Sequence, residues 1–113
     1  SQIRLADAAA NSARVGLLVH EATADPALLL PATRDYLHQE PRRPSYAASM
    51  ALVDALRAAG VAATISGAGP SVLALAIDAE QAALVTSSAP AGWRVVAPGF
   101  ADTGARLVAA AGR

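Results

Sequence analysis

Three features of this 113-residue chain have side chains suited to chemistry. The first is Ser66-Gly67-Ala68-Gly69-Pro70-Ser71. Its glycines permit positive φ angles and let a phosphate or another backbone approach without a Cβ in the way, and successive amides in such a turn can form an anion-binding nest. Pro70 has no N–H to donate, however, and no basic residue is near in sequence, so spacing alone reads as a hairpin turn. The second is Arg42-Arg43, between Pro41 and Pro44. A guanidinium can grip a carboxylate through two parallel hydrogen bonds, and its alternative here is a solvated surface charge. The third is a pair of imidazoles, His20 and His38. With no cysteine and no carboxylate cluster at ligand spacing, they predict no metal site and read as residues at helix ends, His38 interacting with the last carbonyls of its helix. Asn11 and Arg14, one helical turn apart, share a face that can point toward a substrate cleft. None of these residues reads as catalytic by itself.

The elements that must position these residues come from a chain of one-domain size with 54% hydrophobic content, enough for a single core spanning residues 1–113. Net charge is zero, which leaves no electrostatic footprint for nucleic acid or an anionic membrane. All nine basic residues are arginine, which excludes a Walker A or Schiff-base lysine within the chain. The absence of cysteine excludes disulfides and thiolate chemistry. No apolar run approaches the ~18 residues of a membrane span and the first residues lack a signal-peptide pattern, so a cytoplasmic protein is expected.

Leu5, Ala8, Ala9, Val15, Leu18 and Val19 recur at helical spacing and predict an amphipathic helix from about Leu5 to His20. Asp25-Pro26 opens a second helical stretch over Ala27 to His38, which Pro31 divides or kinks. The prolines make His38 to Pro44 a loop. Helix returns from Ser45 to Ala59 with Gly60 as its C-terminal cap. Val61–Ile65 and Val72–Ile77 read as strands of a hairpin, apolar enough to be central in a sheet covered by helices. Asp78 and Gln81 resemble a capping box for a helix to about Ser87. Trp93–Val96 and Ala105–Val108 are expected as further strands. The expected class is α+β, with helices packed on one face of a largely antiparallel sheet.

The string Ile65-Ser66-Gly67-Ala68-Gly69-Pro70-Ser71 followed by an apolar strand resembles the third motif of the GHMP small-molecule kinases. Tyr36-Leu37-His38-Gln39-Glu40-Pro41-Arg42-Arg43 is similar to the homoserine-kinase branch of that family, where Leu-His-Gln or Leu-His-Glu is followed by Pro-Tyr-Arg; here Glu40-Pro41 stands in place of Pro-Tyr. The resemblance implies a ferredoxin-like C-terminal domain, with a separate N-terminal ATP-binding domain preceding Ser1 in the intact protein. It casts Gly67, Ala68, Gly69, Pro70 and Ser71 as support for that domain's phosphate loop, and Arg42 as the residue that binds the carboxylate of L-homoserine. Some family members also carry histidine where this chain has His20. ATP and Mg2+ are then cofactors of the intact enzyme, bound mainly by the N-terminal domain, and the present residues alone are expected to be inactive. A homodimer is a further expectation. Two other readings remain: a family member acting on mevalonate or a phosphorylated sugar alcohol, and a non-catalytic domain for amino-acid binding or dimerisation.

Overall fold

A computed structural model describes residues 2–109. Helix α1 spans Leu5–Glu21, a 3-10 turn Pro26–Leu28 leads into the short α2 (Leu29–Ala32), and α3 is the single turn Gln39–Arg42. A second 3-10 turn, Arg43–Tyr46, runs into α4 (Ala47–Ala58), followed by β1 (Ala62–Ile65), β2 (Val72–Leu75) and α5 (Ala79–Ser88).

Local chemistry sets most of these boundaries. The Asp25 carboxylate accepts from the Ala27 amide at 3.0 Å, satisfying a donor that has no partner within the turn. Helix α4 ends in a Schellman arrangement: Gly60, at φ +86°, donates to Arg57 O and Val61 donates to Leu56 O. Asp78 accepts from Gln81 N at 2.8 Å, while the Gln81 side chain reaches back to Ile77 N rather than to the capping residue's own amide.

The strands pair antiparallel with Ala63 opposite Ala74 and Ile65 opposite Val72, which puts these four residues on one face. Val53 and Leu56 of α4 and Leu84 and Val85 of α5 pack there, and Val53, Leu56, Val61 and Ala63 form the buried core. An α+β arrangement with helices on one face of an antiparallel sheet is therefore present. Leu73, on the opposite face, is 44% exposed, so among the described residues this hairpin is not the covered centre of a larger sheet.

Several expectations are corrected. Trp93–Val96 and Ala105–Val108 are not strands, and Val96, Leu107 and Val108 are exposed. A third strand at the outer edge of β1 would need Ala63 O and Ile65 N, but Arg57 already donates to the first and the Gln39 side chain accepts from the second. The stretch from His38 to Pro44 is not a loop but a helical turn and the start of a 3-10 turn. Pro41 and Pro44 fall within the first turn of each, where an amide would have no intrahelical partner anyway. The helical stretch expected to reach His38 ends at Ala32, with Thr33 Oγ1 donating to Leu29 O at 2.9 Å. Finally, α1 leaves Leu5, Val15 and Val19 exposed and turns Asn11, Arg14 and the buried Glu21 inward.

Candidate functional site

The glycine turn is held from two directions. Within it, Ser66 N donates to Ser71 O at 2.8 Å and Gly69 N donates to Ser66 O at 3.0 Å. From outside, Ser49 Oγ at the start of α4 donates to Pro70 O at 2.6 Å, and the Tyr46 ring lies against Gly69. Gly69 has φ +81°, and a Cβ there would meet Ile65 Cγ2 and two Tyr46 ring carbons at 3.2 Å. Gly67 also has positive φ, +56°, but open space around its Cβ position. Gly69→Ala is therefore expected to lower the stability of the chain by about 1–3 kcal/mol, read by urea denaturation, from combined backbone strain and crowding. Gly67→Ala should cost about 1 kcal/mol, the backbone component alone. Equal losses at the two positions would show that the packing of Tyr46 against Gly69 contributes nothing.

Beside this turn a small cleft of about 30 Å³ brings together Arg42, His38 and Gly67, with Asp35, Gln39, Tyr46 and Ile65 in its wall. Three of the residues singled out in the sequence thus share one site although Arg42 and Gly67 are far apart in the chain. The position of His38 differs from expectation. It precedes α3 instead of ending a helix, because the Asp35 carboxylate accepts from the amides of both Leu37 and His38 and lies 3.3 Å from His38 Nδ1. Its backbone carbonyl accepts from Arg42 N at 3.3 Å, so the same short segment sets both side chains.

The two adjacent arginines have different environments. Arg43 makes a bidentate pair with Glu40, at 3.0 and 2.8 Å, and a further contact with Asp54 at 2.6 Å. These hydrogen bonds hold the Glu40 carboxyl below the usual carboxylate range and raise the Arg43 guanidinium above its ordinary value. Arg42 is exposed and, among the described residues, has no carboxylate partner. Its fork is the one available to an acidic ligand.

Asn11 and Arg14 serve the turn that carries Tyr36. Asn11 Oδ1 accepts from Tyr36 N at 3.0 Å, and Arg14 Nη2 donates to the Tyr36 hydroxyl at 3.0 Å. Arg14 lines a second, larger cavity of about 590 Å³ that shares Asp35 and Gln39 with the Arg42 cleft. His20 is elsewhere, exposed in the last turn of α1 with its Nε2 3.8 Å from Glu21, and lines neither cavity. Arg34, Tyr36 and Arg57 also line the larger cavity but were not singled out in the sequence. On α4, Asp54 faces Arg43, while Arg57 turns inward and donates to Thr33 Oγ1.

A family model for the C-terminal part of GHMP kinases matches residues 8–95, most of the chain and all of this site. The chain belongs to the GHMP kinase family. Among curated relatives, a homoserine kinase of Streptomyces avermitilis is 59% identical over 87 residues, covering 77% of this chain and 28% of that protein. A homoserine kinase of Streptomyces coelicolor is 50% identical over 102 residues, with 90% and 33% covered, and one of Rhodococcus erythropolis is 43% identical over 96 residues, with 85% and 31% covered. The chain therefore spans about a third of the length of these relatives. As a GHMP kinase C-terminal region it carries the glycine turn between β1 and β2, held by Ser49 near the start of α4.

Proposed function

We propose that this chain is the C-terminal domain of an ATP-dependent homoserine kinase, which converts L-homoserine to O-phospho-L-homoserine in threonine biosynthesis. The observation that carries the reading is the 59% identity to a relative of that name across 77% of the chain. In this reading residues 1–113 are one domain of ferredoxin-like type, and an N-terminal domain holds the nucleotide. The exposed Leu5, Val15 and Val19 of α1 give that domain an apolar surface to cover. The enzyme works in the cytoplasm, as a homodimer.

Arg42 grips the carboxylate of homoserine, with His38 and the Gly67 turn forming the wall beside it. Its freedom from carboxylate partners supports this assignment over Arg43, whose donors are engaged by Glu40 and Asp54. The nucleotide, when bound, supplies the γ-phosphoryl group, and Mg2+ neutralises its charge. The described residues do not form a complete cradle for either. The amides of Ser66 and Gly69 are used inside the turn, Pro70 has none, and among the described residues no group of three His, Asp or Glu side chains could hold a metal. In this reading the turn from Gly67 through Ala68, Gly69 and Pro70 to Ser71 braces another domain's phosphate loop.

The test is ADP formation with L-homoserine, measured side by side for this chain alone and for the same chain joined to its N-terminal domain, with mevalonate as a competing acceptor. Turnover is expected only in the joined protein and only with homoserine. Turnover by the 113 residues alone, or a preference for mevalonate, would overturn the reading.

A further inference from the structure

We propose that the cavity bounded by Arg14, Arg34, Arg57 and Tyr36 is a binding site for a small oxyanion, a phosphate or a carboxylate, separate from the Arg42 cleft. At about 590 Å³ it has the size of a small-molecule pocket. Its charge balance is the first argument. None of the three guanidiniums has a carboxylate partner among the described residues. The acids that also line the cavity are already engaged. Arg43 holds Glu40 and Asp54, and Asp35 accepts from the amides of Leu37 and His38. What remains facing the cavity is positive.

The second argument is donor geometry. Arg14 and Arg34 lie over the ring of Tyr36, their guanidinium carbons 4.9 and 5.2 Å from its centroid, and stacking of this kind restrains both planar forks. Arg14 Nη2 is held by the Tyr36 hydroxyl, yet Arg14 Nε is buried and has no acceptor. Such a donor carries a desolvation penalty that an anionic oxygen would offset. Arg34 is exposed and has no side-chain hydrogen bond among the described residues, so its fork is open to a ligand. Arg57 has a different part. Its nitrogens donate to Thr33 Oγ1, Ala63 O and Leu30 O, so it contributes fixed positive charge more than free donors. Burial, followed by the charges of Arg34 and Arg14, pushes the Arg57 guanidinium below its ordinary value. That mutual repulsion is relieved by an anion placed among the three.

The experiment follows the arginine Nε–Hε resonances of the 113-residue chain by NMR during titration with inorganic phosphate and, separately, with acetate, against sodium chloride at matched ionic strength. Saturable shifts at Arg14 and Arg34 are expected with phosphate, with acetate or with both, and chloride should not reproduce them. A response to phosphate alone assigns a phosphorylated ligand, and a response to acetate alone a carboxylate. Arg34→Gln should weaken the binding about tenfold or more, because it removes a charge-assisted fork from an exposed side chain whose own contact with the fold is the stack on Tyr36. Arg42→Gln should leave it within about twofold. Absence of saturable shifts with both anions, unchanged affinity in Arg34→Gln, or loss of binding in Arg42→Gln would overturn the proposal. Since neither homoserine nor ATP is used, its failure is distinct from failure of the kinase reading.

Discussion

Arg57→Ala is expected to destabilise the chain by about 2–4 kcal/mol, among the larger effects that one substitution in it can have. The guanidinium joins three elements from its position on α4. It donates to Leu30 O and Thr33 Oγ1 at the α2 end and to Ala63 O on the outer edge of β1. Truncation would leave two backbone carbonyls in a partly buried setting without their charged donor, and would release α2 from the sheet. Hydrogen bonds from charged groups contribute about 1.5–3 kcal/mol each but do not add fully when they share one side chain, which sets the estimate. Arg57→Lys keeps the charge but not the planar fork, so it should recover less than half of the loss. Urea denaturation measures both. A loss under about 1 kcal/mol for Arg57→Ala would mean that solvent replaces these bonds at little cost.

The same residue shows what was legible in the sequence. Features set by neighbours along the chain were readable: the Asp25-Pro26 start, the Gly60 cap, the hairpin on either side of the glycine turn, and the Asp78–Gln81 pair all rest on contacts within a few positions. Features set by distant polar contacts were not. Asn11 with Tyr36, Gln39 with Ile65 and Arg57 with Ala63 join positions that no periodicity connects. In α1 the shared face of Asn11 and Arg14 was readable from their spacing, but their partner Tyr36 was not, nor was the exposure of Leu5, Val15 and Val19 on the apolar stripe. It also explains the two missing strands, since apolar patterning at Trp93–Val96 says nothing of whether a strand edge is free to receive it. In the site, Arg42 was singled out through resemblance and lines one cleft with His38 and Gly67, but Arg34 gave no local signal.

The central claim is that the Arg42 cleft holds the carboxylate of an amino-acid acceptor, and the steady-state kinetics of Arg42→Lys in the intact, two-domain enzyme test it most directly. Lysine retains the charge but cannot form two parallel hydrogen bonds, a difference of about 1.5–3 kcal/mol at a carboxylate. The expected result is a rise of about 10- to 100-fold in KM for L-homoserine, with KM for ATP within about twofold of the parent enzyme. Unchanged homoserine kinetics would contradict the account and return Arg42 to the solvated surface.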